Sequence, residues 1–195
     1  ATGPGRGGSA TIWFVKTLRL DLRHKAQEPR EEATPTGQVR VERGSSRADM
    51  LTPERIDPER RYPLVTVLDG AGHREEMLVQ AYREEPAARD ALFLIPWSHH
   101  PTWDLIAAND RPDLDFLEWA YDLIYRRYPV DPDRQALIGY SDGASYALSV
   151  GLSNPRIFRA VMGWAAGFVV LDEAGISAED PKASVLLEYG THDHH

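Results

Sequence analysis

Five short apolar runs constrain the fold of this sequence more than any other feature. They cover residues 64–68, 91–95, 136–139, 159–164 and 183–189. Nearly uninterrupted runs of this kind are typical of strands that are buried on both faces of a sheet. Helical patterns lie between them at 75–84, 113–128 and 144–152. The alternation predicts an α/β domain, with a mostly parallel sheet and helices on both faces.

The N-terminal part has a different pattern. Apolar and charged residues alternate at 11–24 and again at 38–42, which predicts an antiparallel strand pair at one edge of the sheet. Residues 1–9 are rich in glycine and are expected to be flexible. Since no linker or repeat divides the rest, we predict a single domain over residues 10–195.

Composition excludes several classes of protein. The 195 residues are 42% hydrophobic, which fits one globular domain. The net charge of −8 argues against a nucleic-acid partner, and no apolar run is long enough to span a membrane. The absence of cysteine excludes disulfides and thiolate chemistry. The compartment is left open, because the N-terminus carries no apolar signal core.

The third apolar run leads into Gly139-Tyr140-Ser141-Asp142-Gly143, a G-x-S-x-G motif between a strand and a helix. The turn is so tight that larger side chains at the two glycines would collide with backbone, and it pushes the serine hydroxyl above the sheet. Five residues can match by chance, but the strand before and the helix after favour a nucleophile. We therefore predict that Ser141 is a catalytic nucleophile.

The first apolar run ends at Asp69-Gly70-Ala71-Gly72. In a sheet of this architecture, the loop after that strand supplies one backbone N–H to an oxyanion hole, and the residue after the nucleophile supplies the other. The prediction is that Ala71 and Asp142 are these donors. An ordinary glycine-rich turn would have the same sequence. The functional interpretation is favoured because this loop precedes the serine motif along the chain, as an oxyanion loop should.

The fifth run is followed by Asp193, which we predict to be the catalytic acid that orients a histidine. The histidine should follow on a later strand, and His194 and His195 are poor substitutes because they share the loop of the acid. We therefore expect the natural chain to continue beyond residue 195 and this chain to be C-terminally truncated. His73, His99 and His100 are alternative bases on the loops near Ser141.

A cluster of histidines at 192, 194 and 195 resembles a metal site only superficially. Histidines at a chain end are more often a frayed terminus or part of a tag, so no metal and no cofactor is predicted. Trp97, His99 and Trp103 follow the second apolar run, and Trp164 ends the fourth. These four are predicted to line a substrate pocket, although packing of the loops onto the core is an equal alternative.

Four stretches, at 60–72, 130–143, 154–161 and 185–193, resemble the α/β-hydrolase superfamily, in its esterase, phospholipase and carboxylesterase groups. Asp69-Gly70 stands where many relatives have His-Gly, and is similar to the enterochelin-esterase-like and S-formylglutathione-hydrolase-like branch. The resemblance implies a serine esterase that acts on a small-molecule ester. A thioesterase, a peptidase and a non-catalytic binding module remain alternatives, and self-association is left open.

Overall fold

The computed structural model describes residues 17–23, 34–107, 110–172 and 176–190. In chain order, the elements in these ranges are β1 (Gln38–Arg43), β2 (Ser46–Leu51), β3 (Tyr62–Leu68), α1 (Glu75–Tyr82), α2 (Glu85–Arg89), β4 (Leu92–Pro96), α3 (Asp104–Ala107), α4 (Pro112–Arg127), β5 (Val130–Tyr140), α5 (Asp142–Ser153), β6 (Ala160–Trp164) and β7 (Ser184–Glu188). Their strands form one sheet in the order β1-β2-β4-β3-β5-β6-β7. The β1–β2 and β2–β4 pairs are antiparallel, and the other pairs are parallel.

Two hydrophobic clusters hold the helices against the sheet. On one face, Leu64 and Leu137 of the sheet pack in a cluster with Leu117 of α4 and Leu148 of α5. On the other face, the cluster joins strand residues to Val79 of α1. The central strands are apolar on both sides because both faces are covered. The prediction of a mostly parallel sheet with helices on both faces is confirmed.

The antiparallel N-terminal pair is also confirmed, but its members differ from the prediction. The partner of β1 is β2, and residues 17–23 form no strand, while 11–16 lie outside the described residues. Asn154 at the end of α5 explains the difference. Its Oδ1 accepts the Leu20 N–H at 2.8 Å, and its Nδ2 donates to the Leu18 carbonyl at 2.8 Å. The side-chain amide thus satisfies backbone groups that a neighbouring strand would otherwise bind.

The sheet topology brings several loops to one edge. Because β3, β4, β5 and β6 are parallel, the loops that follow them emerge at the same end, here called the carboxyl edge. The turn between β1 and β2 lies there too, since β2 is antiparallel to β4 and Ala48 is opposite Pro96. This edge therefore collects the segments around Ala71, Ser141 and His99.

The strand β7 forms the other side edge of the sheet. Its apolar residues Val185, Leu186 and Leu187 are between 44 and 47% exposed, so this edge carries a band of apolar surface. No described helix is both long and apolar enough to cross a membrane. The predicted flexible residues 1–9 and the last five residues lie outside the described ranges.

Candidate active site

Ser141 occupies a strained turn between β5 and α5. Its φ of 53° and ψ of −118° lie in a region that residues with a side chain rarely adopt. The conformation is held by a hydrogen bond from the Ser141 N–H to the Trp164 carbonyl on the neighbouring strand, at 2.8 Å. The predicted strand–turn–helix setting of the motif is therefore present.

The two glycines of the motif mark close contacts of backbone with backbone. A Cβ on Gly139 would lie 2.2 Å from the Gly143 carbonyl oxygen, and a Cβ on Gly143 would lie 2.2 Å from the Asp69 carbonyl oxygen. Real Cβ atoms essentially never approach other heavy atoms below 3.0 Å. Only glycine fits at either position, which agrees with the steric reason given for the motif.

The loop after β3 runs directly beside Ser141. A Cβ on Gly70 would be 3.3 Å from the Ser141 Cβ. The Gly72 N–H is already used, since it donates to the Pro101 carbonyl at 2.8 Å. By contrast, neither the Ala71 N–H nor the Asp142 N–H donates to any acceptor in the described part of the chain. Asp142 is the first residue of α5, where backbone N–H groups have no partner within the helix.

Residues 97–103, here called the β4 loop, are hydrogen-bonded to both of these segments. The Trp103 Nε1 donates to the Asp69 carbonyl at 2.9 Å, and the Pro101 carbonyl accepts the Gly72 N–H. The Thr102 Oγ1 donates to the Asp142 carboxylate at 2.7 Å. The β4 loop therefore connects the backbone around Ala71 to the first residue of α5. Sequence reasoning missed Thr102, because nothing in the local pattern marks its distant partner.

Two buried carboxyl groups hold the ends of the β4 loop. Asp104 and Asp113 each accept the other's backbone N–H at 2.9 Å, and Asp113 also accepts the His99 N–H at 2.6 Å. Burial, followed by the nearby charge of Asp104, raises the pKa of Asp113 to about 7. The pair joins the β4 loop to the start of α4.

The predicted pocket residues have different environments. Trp103 is a core residue, 1% exposed and stacked on Tyr146 with 5.0 Å between ring centroids, so the prediction that it lines a pocket has no support. Trp97 is largely buried, but together with the exposed His99 it lines a cleft of about 380 Å³. The Trp164 indole donates to the Glu188 carboxylate, and its role in a pocket stays a prediction.

No described residue is hydrogen-bonded to the Ser141 hydroxyl as a proton acceptor. In these ranges the Ser141 hydroxyl has no hydrogen-bond partner, and no histidine is bonded to it. The His73 Nδ1 lies 3.6 Å from a Glu75 carboxylate oxygen, and the His99 and His100 rings contact each other edge to face. Asp193 lies outside the described residues, so its role stays a prediction. Within the described ranges, no group of three or more His, Cys, Asp or Glu residues is arranged to hold a metal ion.

The sheet order and the serine turn at its carboxyl edge are those of the α/β-hydrolase fold, and the predicted resemblance is confirmed at that level. Poly(aspartic acid) hydrolase-1 from Sphingomonas sp. KT-1 matches with a TM-score of 0.59 and 16% identity, over 83% of this chain and 74% of that protein. A thermostable esterase matches with a TM-score of 0.55 and 17% identity, over 80% of this chain. The fluorophosphonate-binding serine hydrolase F of Staphylococcus aureus matches with a TM-score of 0.53 and 14% identity, over 66% of this chain.

The chain spans only part of these proteins, covering 55% of the thermostable esterase and 56% of the staphylococcal hydrolase. No protein-family model matches the sequence, and no curated protein matches it. The similarity therefore concerns the fold, and the chemistry must be argued from the site itself.

Proposed function

We propose that the protein is a serine hydrolase that cleaves carboxylic esters through an acyl-enzyme on Ser141. The observation that carries the proposal is the Ser141 turn, with its strained φ of 53°, and the two backbone N–H groups in adjoining segments that lack an acceptor in the described residues. Strain of this kind is retained where it serves a function. The esterase and the serine hydrolase among the structural neighbours support the same class of chemistry.

In the proposed reaction, the Ser141 oxygen attacks the ester carbonyl while a histidine takes the hydroxyl proton. The carbonyl oxygen becomes an oxyanion and accepts hydrogen bonds from the Ala71 and Asp142 N–H groups, at the positive end of α5. The histidine returns the proton to the departing alcohol, which leaves an acyl-enzyme that water hydrolyses. Asp193 would orient the histidine and stabilise its charged form.

A related candidate is cleavage of thioesters or amides by the same steps. The poly(aspartic acid) hydrolase among the structural neighbours supports amides as possible substrates beside esters. A non-catalytic binding module is the alternative from another class. It would not need an activated serine, and this difference makes the two classes distinguishable.

Labelling with a fluorophosphonate probe tests the proposal, because only an activated serine reacts with it. We expect one adduct per chain by intact mass, located by peptide mapping at Ser141. The adduct should be absent from Ser141→Ala and retained in Ser184→Ala, which alters an exposed serine on β7. A protein that carries the predicted histidine and forms no adduct, or forms it equally in Ser141→Ala, would contradict the proposal.

Thr102 should act as a positioning residue, since its hydroxyl fixes the carboxylate of the residue that supplies one oxyanion donor. Thr102→Val keeps the shape of the side chain but removes this bond. We expect kcat for a p-nitrophenyl ester to fall about tenfold with little change in KM, less than the roughly 10²–10³ lost with a whole donor. Thr102→Ser should restore most of kcat. A fall in Thr102→Ser that Thr102→Val does not share would indicate a packing role for the threonine methyl group instead.

A further inference from the structure

A second feature of the carboxyl edge is the cleft between the β1–β2 turn and the loops that follow β3 and β4. It has a volume of about 380 Å³ and is lined by residues 45–47, 73 and 97–99. The β4 loop and the loop carrying Ala71 thus contribute both to this cleft and to the surroundings of Ser141. The cleft is therefore placed to contact a distant part of a substrate whose scissile bond lies at Ser141.

The Arg47 side chain is held in place within this cleft. Its guanidinium carbon lies 3.6 Å from the centroid of the Trp97 ring, in a stacked cation–π contact. The Trp97 ring is itself fixed, because its Nε1 donates to the Asp49 carboxylate at 3.0 Å. A stacked guanidinium keeps its edge N–H donors free for a planar anion, with little side-chain entropy left to lose.

The charges around the cleft favour an anionic ligand. Within the described residues, no carboxylate lies in ion-pair distance of Arg47, while the half-exposed Arg40 is already paired with Asp49 at 3.1 Å. Two acidic residues near the lining of the cleft, Asp49 and Glu75, are each only 1% exposed. Arg47 therefore presents the accessible charge, and the hydroxyl-bearing residues Ser45 and Ser46 lie next to it.

The position of the cleft sets the length of the ligand. The first residues of β2 line the cleft, and β4 and β3 lie between β2 and β5 in the sheet. The distance from β2 to β5 is therefore three strand spacings, or about 14 Å. We propose that this cleft is a subsite for a carboxylate at the far end of the substrate, so that the enzyme prefers esters whose acyl part ends in an anionic group. The inference rests on the proposed ester hydrolysis and adds the substrate class.

Two matched esters test the subsite, the p-nitrophenyl monoester of decanedioic acid and p-nitrophenyl decanoate, which differ in the terminal carboxylate. Arg47→Gln should lower kcat/KM for the anionic ester about fivefold, the upper range for an exposed ion pair, and leave the neutral ester unchanged. Added NaCl should reduce the preference of the parent protein. Arg83→Gln, an exposed arginine at the far end of α1, is the control and should change neither rate.

A binding measurement separates failure of the subsite from failure of the proposed hydrolysis. Monomethyl and dimethyl decanedioate are titrated calorimetrically into Ser141→Ala, with and without Arg47→Gln. Arg47-dependent binding of the anionic monoester alone supports the subsite, even when no ester is turned over. Two results overturn the subsite and leave the proposed hydrolase intact. In the first, both p-nitrophenyl esters are hydrolysed and Arg47→Gln changes neither rate. In the second, the two decanedioate ligands bind equally.

Discussion

Ser141→Ala is expected to lower the turnover of a short p-nitrophenyl ester by about 10³-fold or more in a protein that carries the predicted histidine, because the variant has no atom that can form the acyl-enzyme. The residual rate would come from binding and from the oxyanion donors. The measurement is kcat at saturating ester, beside the free energy of unfolding in urea. Stability should remain close to that of the parent, since the Ser141 hydroxyl has no hydrogen-bond partner in the described residues. Turnover that survives at the parent rate would remove Ser141 from the mechanism.

Gly143→Ala is expected to have the largest effect on stability. Its new Cβ would lie 2.2 Å from the Asp69 carbonyl oxygen and 2.6 Å from that of Leu68, so two backbone segments would have to separate. We expect a loss of about 3 kcal/mol or more in the free energy of unfolding, at the upper end of overpacking effects. Loss of fluorophosphonate labelling should accompany it, because the Asp69 backbone leads directly into the Ala71 loop.

The control for this variant is Gly167→Ala. Among the described residues, a Cβ there would meet only the Ser145 hydroxyl, at 4.0 Å, and the backbone has no positive φ. Its free energy of unfolding should stay within about 0.5 kcal/mol of the parent value. Equal stability of the two variants in a urea titration would show that the close contact at Gly143 relaxes at little cost.

Patterns within a single segment were sufficient to predict most of the sheet. The apolar runs correspond to β3, β4, β5, β6 and β7, and the helical patterns correspond to α1, α4 and α5. The strand β2 was missed because Ser46–Leu51 lacks a regular alternation. It includes Asp49, a buried acid that is satisfied by Gln38, Arg40 and Trp97 from other segments. A buried charge with distant partners has no signature in its own neighbourhood.

The same distinction between local patterns and distant partners applies to the residues of the candidate site. The strained turn at Ser141 and its two glycines could be predicted, since the motif encodes a local steric requirement. The contacts of Thr102 and Arg47 could not be predicted, because they join residues that only the fold brings close. Trp103 was assigned to a pocket from its position in a loop, whereas its indole is 1% exposed and donates to the Asp69 carbonyl.

The hydrogen bonds of Asn154 also have a consequence for the order in which the chain folds. The Leu20 N–H is bonded to an acceptor 134 residues later, and the Leu18 N–H to Asp172, 154 residues later. During synthesis, residues 17–23 must wait until α5 has left the ribosome before these bonds can form. Contacts of such long sequence separation require a large loop to close, which slows folding. Docking of this segment should be a late folding step, with its amides the last to gain protection in pulsed hydrogen exchange.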